Sequence, residues 1–243
     1  MSAGTPTEPR SLPGPLPDLA PGSERRVLAP FALAVPFLLL VPPLGLLLLG
    51  VGAFSAYFYR DPEREPAGEG VLAPADGHVS VIREDGDRVR VGVFMSPFDV
   101  HVCRAPAAGA VTRLDHRGAA HRPAFAKESE RNERFEYTLR EEVDGADDAA
   151  DDGASAEPDG GPAAELDGDA GGVDGALIAG WFARRITPYV SHGDSVTRGE
   201  RIGYIAFGSR ADVVLPTGYT AEDVRVSRGE AVRAGESVIA RRD

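Results

Sequence analysis

From Val27 to Tyr59 the sequence contains no charged residue, and this run constrains the chain more than any other feature. Pro42-Pro43 divides it into two arms of about 15 residues, each about 22 Å long if helical. That is short of the roughly 30 Å needed to cross a hydrocarbon layer. Arg25 and Arg26 flank one end, and Arg60 and Arg64 the other. Basic residues at both ends favour a re-entrant membrane hairpin with both feet on the cytoplasmic side. A single kinked span and a buried helix pair are the competing readings. Residues 1–26 are rich in Pro, Gly and Ser and read as a disordered leader. The run is too long for a secretory signal, and it continues directly into Phe58-Tyr59-Arg60-Asp61-Pro62.

After Asp61 the pattern turns to short β-type runs. Val79 to Ile82, Asp85-Gly86-Asp87 and Val89 to Phe94 predict a hairpin with a glycine turn. Phe135 to Leu139 alternates as a strand does. Between Glu141 and Asp174 lie 13 acidic residues and no Lys or Arg. This segment, about 141–175, lacks periodicity and aromatics and is expected to be a disordered insert, with order resuming at Ala176. The acids outside it number 25 against 26 basic residues, so the formal charge of −12 belongs to one segment. Lys127 is the only lysine, a skew that together with the insert hints at a high-salt organism. No basic stripe supports nucleic-acid binding, and Cys103, the single cysteine, excludes an internal disulfide or a Cys-cluster zinc site.

Near the C-terminus Gly193-Asp194-Ser195-Val196-Thr197-Arg198-Gly199-Glu200 is echoed by Gly229-Glu230-Ala231-Val232-Arg233-Ala234-Gly235-Glu236. Each block precedes a β-type run, Ile202 to Phe207 and Ser237 to Ala240. Ala73-Pro74-Ala75-Asp76-Gly77 has a similar character. The expected fold is mainly β (α+β), a small barrel or sandwich-like body of the lipoyl type over residues 60–243, following the hydrophobic segment 27–59.

The chain has no Gly-rich loop ending in Lys-Ser/Thr and no His-Glu-x-x-His. Its histidines, His78, His101, His116, His121 and His192, do not pair at ligand spacing, so no metal site is expected. Three blocks stand out: Ala73 to Gly77, Met95 to Pro106 and Phe207 to Pro216. They contribute Asp76, His101 and Ser209, the residue types needed to activate a hydroxyl nucleophile: a base to take its proton and a carboxylate to orient that base. Taken singly, each is also what an ordinary turn, a surface histidine or a loop serine looks like.

At these blocks the sequence resembles the phosphatidylserine decarboxylases, particularly the shorter prokaryotic form. The resemblance runs from Phe58 to the C-terminus outside the acidic insert. It rests on Tyr59-Arg60-Asp61-Pro62-Glu63-Arg64, the Asp76 block, Ser96-Pro97-Phe98-Asp99-Val100-His101, Glu130-Arg131-Asn132-Glu133, Ala183-Arg184-Arg185-Ile186 and Phe207-Gly208-Ser209-Arg210, in that order. The resemblance implies a proenzyme whose Ser209 hydroxyl attacks the Gly208 carbonyl. The resulting ester eliminates to dehydroalanine, and hydrolysis leaves a pyruvoyl group at position 209, with a β chain of 1–208 and an α chain of 209–243. It makes His101 the base and Asp76 its orienting acid. Arg184 and Arg185 would grip the substrate phosphodiester, or else form a solvated surface pair. Asp99 and Asp212 are expected to be structural. Longer members carry a second histidine where this chain has Arg104, so His101 would serve both reactions, with His78 in reserve.

Implied with these are a phospholipid substrate, phosphatidylserine or archaetidylserine, a cell-membrane location with the catalytic body on the cytoplasmic side, and no nucleic-acid partner. A homo-oligomer is compatible with the sequence. The rival reading is a membrane-tethered lipoyl-like β-barrel adaptor without catalysis, which would need neither Ser209 nor the Asp76 and His101 pair.

Overall fold

The computed structural model describes residues 18–117, 133–141, 171–180, 186–206 and 209–242. The chain divides into two compact units, Met1–Pro62 and Glu63–Asp243.

The first unit is a helical hairpin, α1 (Glu24–Leu40) and α2 (Pro42–Phe58). The break falls on Val41, at φ −142° and ψ 77°, because the residue before a proline is driven out of the helical region. Pro42 and Pro43 then open α2, where a missing N–H costs nothing. The helices approach closely at two glycines. A Cβ on Gly45 would lie 2.5 Å from the Leu38 nitrogen, and one on Gly52 would lie 2.9 Å from the Phe31 ring. The feet are tied together by the Ala20 amide donating to Tyr59 O (2.8 Å) and the Asp61 amide to Asp18 O (2.6 Å). Each helix has 17 residues, about 25 Å at 1.5 Å per residue. No helix among the described residues is long and apolar enough to cross a membrane. Leu39, Leu40, Leu46 and Leu47 are nonetheless exposed.

The second unit is mainly β. Its strands are β1 (Val71–Leu72), β2 (Gly77–Asp85), β3 (Arg88–Met95), β4 (Val102–Arg104), β5 (Gly109–Arg117), β6 (Arg134–Arg140), β7 (Val173–Ala179), β8 (Ile186–Pro188), β9 (Ser195–Val196), β10 (Arg201–Ile205), β11 (Ser209–Val214), β12 (Ala231–Val232) and β13 (Val238–Ala240). An eight-stranded antiparallel sheet runs β12-β2-β3-β11-β7-β6-β5-β9, beside a three-stranded sheet β4-β10-β8 and the pair β1-β13. Bulges between Val79 and Val81 and between Val111 and Arg113 strengthen the local twist and curl the sheet. Among the described residues its edges β12 and β9 do not pair with each other, so the expected small barrel is realised as a half-barrel. Val91, Val93, Met95, Leu177, Ala211 and Val213 fill its apolar side.

The expected hairpin is β2–β3, turning at Gly86 with φ +66°. One boundary is corrected: β7 begins at Val173, not at Ala176. Asp174, read as the last acid of the insert, is instead fully buried. It pairs with Arg88 and accepts a 2.6 Å hydrogen bond from Thr138 Oγ1. A carboxylate tolerated in the interior by a paired guanidinium looks, in sequence, like one more surface charge. The rest of the insert, residues 142–170, and the leader residues 1–17 lie outside the described residues.

The echo near the C-terminus belongs to a larger repeat. Gly229 donates to Val79 O and Gly193 to Val111 O, both at 2.8 Å. β12 thus edges β2, and β9 edges β5. Ala73-Pro74-Ala75-Asp76-Gly77 is answered by Ala105-Pro106-Ala107-Ala108-Gly109. The two segments exchange backbone bonds: the Leu72 amide donates to Pro106 O and the Arg104 amide to Pro74 O, both at 2.8 Å. Both turns need glycine. Gly77 has φ +139° and Gly109 +151°, and a Cβ would come 2.1 Å from Phe94 O at the first and 2.2 Å from Arg140 O at the second. Outward from the middle of the sheet, β11, β3, β2 and β12 are therefore matched by β7, β6, β5 and β9.

Candidate active site

Ser209 opens β11 in the interior of the sheet, opposite Met95 of β3 on one side and Ala179 of β7 on the other. It is fully buried, and its hydroxyl donates to Met95 Sδ at 3.6 Å. A weak acceptor of this kind leaves the hydroxyl available to a stronger base. Gly208, the other half of the expected cleavage site, lies outside the described residues, as do Arg184 and Arg185.

Asp76 comes to the same end of the sheet from the other direction. It precedes Gly77, which packs against Phe94 O, one residue from the Met95 that faces Ser209. Two strand spacings, about 10 Å of backbone, separate the Asp76 and Ser209 positions. The carboxylate therefore needs an intermediary to act on the serine.

His101 lies on a third segment. Its carbonyl accepts from the amide of Ile205 (3.2 Å), at the end of the strand that leads toward position 208. It follows a turn closed by the Ser96 amide donating to Asp99 Oδ2 (2.7 Å) and the Asp99 amide donating to Ser96 O (3.1 Å). Asp99 thus holds the loop, and Asp212, bonded by Arg210 at 2.7 Å, is buried as a structural ion pair. His101 Nδ1 lies 2.9 Å from Asp99 O. A carbonyl can only accept, so in the neutral ring the proton sits on Nδ1 and Nε2 carries the basic lone pair.

The oxygens of Asp76 are engaged elsewhere. Arg64 Nη2 donates to Oδ2 at 2.8 Å and to Oδ1 at 3.1 Å, and the Ala234 amide donates to Oδ1 at 2.8 Å. Among the described residues these, rather than the His101 ring, are the carboxylate's hydrogen-bond partners. Burial pushes the Asp76 carboxyl above the usual aspartate range, against the Ala234 bond and the Arg64 charge, and the charge of Asp99 adds to the rise. Burial, followed by the charge of Asp76, also pushes the Cys103 thiol well up, so Cys103 is no nucleophile. Its sulfur is 4.0 Å from His101 O.

Arg104 is buried and donates to Gly199 O at 3.0 Å. In this chain the position clamps the turn before β10 and does no acid–base work. His78 lies exposed on β2. The sequence motif containing Arg64 was visible, but its pairing with Asp76, across 12 positions, was not.

A family model described as phosphatidylserine decarboxylase matches residues 51–149 and 165–240. A Halobacterium salinarum protein provisionally named an archaetidylserine decarboxylase proenzyme is 44% identical over 222 residues, covering 91% of this chain and 97% of its own. A Streptomyces griseus phosphatidylserine decarboxylase proenzyme is 43% identical over 193 residues, 79% of this chain and 75% of its own. A Methanopyrus kandleri protein, with the same provisional archaetidylserine name, is 36% identical over 92% of this chain and 98% of its own. No solved structure matches. The chain is therefore an enzyme, a decarboxylase, and not a β-barrel adaptor. It belongs to the phosphatidylserine decarboxylase family.

Proposed function

We propose that the chain cuts itself between Gly208 and Ser209 and then removes CO2 from the serine head group of a membrane phospholipid, phosphatidylserine or archaetidylserine. The observation that carries this reading is a fully buried serine at the head of an interior strand. The names of the relatives, all proenzymes of this activity, support it.

His101 Nε2 takes the Ser209 hydroxyl proton as Oγ attacks the Gly208 carbonyl carbon. Asp76 stabilises the imidazolium that forms. The peptide bond becomes an ester, and elimination then breaks the Cβ–Oγ bond and frees the Gly208 carboxylate. Water replaces the amine, which leaves as ammonia. Residues 1–208 become the β chain and 209–243 the α chain. A pyruvoyl group at position 209 would fit its surroundings, since its methyl would take the place of the serine Cβ on the side of the Met95 thioether and its ketone oxygen that of the amino nitrogen. That group supplies a carbonyl that condenses with the substrate amine and takes up the electron pair left as CO2 departs. His101 holds the proton to be returned to carbon. Arg184 and Arg185 are proposed to grip the phosphodiester bidentately.

The exposed leucines of the hairpin (Leu39 is 85% and Leu40 77% exposed) form an apolar surface suited to lipid. We assign the hairpin to the cytoplasmic leaflet of the cell membrane, which brings the catalytic body to its substrate. Denaturing electrophoresis with mass spectrometry tests the cut, and CO2 release from each lipid class tests the chemistry. A full-mass single chain with an intact serine at 209 overturns the reading.

A further inference from the structure

We propose that Arg64 is the positioning residue of the self-cleavage site: with the Ala234 amide it fixes the Asp76 carboxylate at the Ser209 end of the sheet, and so governs the rate of the cut. The inference rests on the reading of Gly208-Ser209 as the cleaved bond.

The geometry is that of a built clamp. Arg64 is 7% exposed and Asp76 14%. One guanidinium nitrogen spans both carboxylate oxygens, and the other lies 3.4 Å from Glu236 Oε2. Arg64 Nε is buried with no hydrogen-bond partner among the described residues. A guanidinium buried with one donor unsatisfied gives a poor return in stability, and its placement is accounted for by the carboxylate it holds.

The internal repeat supplies a control. The matching turn, Ala105 to Gly109, forms the same backbone arrangement with Ala108 in place of Asp76. The fold therefore requires no carboxylate at this position, and no arginine to satisfy one. The pair stands in one copy only, the copy whose sheet half contains Ser209.

The clamp also straddles the cut. Arg64 and Asp76 lie before Gly208, while Ala234 and Glu236 lie after it. The charged groups that act on Asp76 are Arg64 and Asp99, with the Cys103 thiol beside it and Glu236 on the far side of Arg64. Burial already holds the carboxyl above its ordinary range, and Arg64 opposes that rise. Without the guanidinium the carboxyl is protonated at still higher pH. A neutral Asp76 cannot stabilise the His101 imidazolium, so the acidic limb of cleavage must move upward.

The test follows self-cleavage of the full-length chain, synthesised cell-free in lipid vesicles, across a pH series. Arg64→Gln should slow the cut about 10- to 100-fold at neutral pH and move the acidic limb upward. Arg64→Lys, which keeps the charge but cannot bridge Asp76 and Glu236 at once, should keep the wild-type limb and cut several times more slowly. In an Asp76→Asn background Arg64→Gln should add nothing. A wild-type pH profile in Arg64→Gln overturns the proposal, as does an undiminished rate in Arg64→Lys, which decides the matter even if Arg64→Gln fails to fold. If the wild-type chain itself stays uncut, as Ser209→Ala must, the reading of the cleavage site fails instead.

Discussion

The two halves of the β body are built alike, and only one carries the residues proposed for the chemistry. In the first, the Ala-Pro-Ala turn carries Asp76, held by Arg64 and Ala234, two strands away from the buried Ser209. In the second, the same turn carries the exposed Ala108, and the strand matching β11 begins with Val173. The residue matching Ala234 there is Arg198, which donates to Gly70 O at 2.9 Å. A cavity of about 580 Å³ opens on this second side, lined by Ala108, Gly109, Val173, Arg198 and Tyr219. The difference teaches that the scaffold supplies a register and a turn at both corners, while the side chains proposed for the chemistry stand at only one of them.

The comparison can be broken most severely at Ser209. Ser209→Ala should abolish both the cut and CO2 release, read by electrophoresis and lipid assay. Next in size is Asp76→Asn, which should lower the cleavage rate about 10²- to 10⁴-fold. The wild-type rate should itself fall as pH drops, and do so above the ordinary aspartate range. The raised Asp76 pKa has that sign: the carboxyl gains its proton at higher pH, and its charge is lost there. Asp174→Ala tests a structural pair common to neither corner. It leaves Arg88 charged and buried, and should cost about 3–5 kcal/mol in chemical denaturation. Ala108→Asp should have the smallest effect, within about 0.5 kcal/mol of wild-type stability, with no change in the rate of cleavage. A gain or loss of cleavage there would mean that the two corners communicate.

Much of the body was legible from period and turn chemistry. Val79 to Phe94, with its glycine turn, and Phe135 to Leu139 declare themselves by alternation, and Pro42-Pro43 marks the bend of the hairpin. What stayed hidden has a common cause: partners distant in sequence change what a charged residue means. Asp174 reads as part of an acidic tract until Arg88 is placed beside it. Asp76 reads as the direct partner of His101 until Arg64 and Ala234 take its oxygens. The repeat was partly concealed because its two copies differ at the position where one acquired a carboxylate. The place of Ser209 at the buried head of an interior strand was likewise not legible from its loop-like surroundings in sequence.

β11 lies between β3 and β7, both of which belong to the larger piece. Once the proposed cut is made, the smaller piece supplies a middle strand of a sheet it no longer shares a backbone with. Before the cut, folding is a unimolecular event. Afterwards, recovery from denaturation requires two chains to meet, at a rate set by their concentration. Processing thus converts a protein that can refold alone into one whose native state is hard to regain at low abundance.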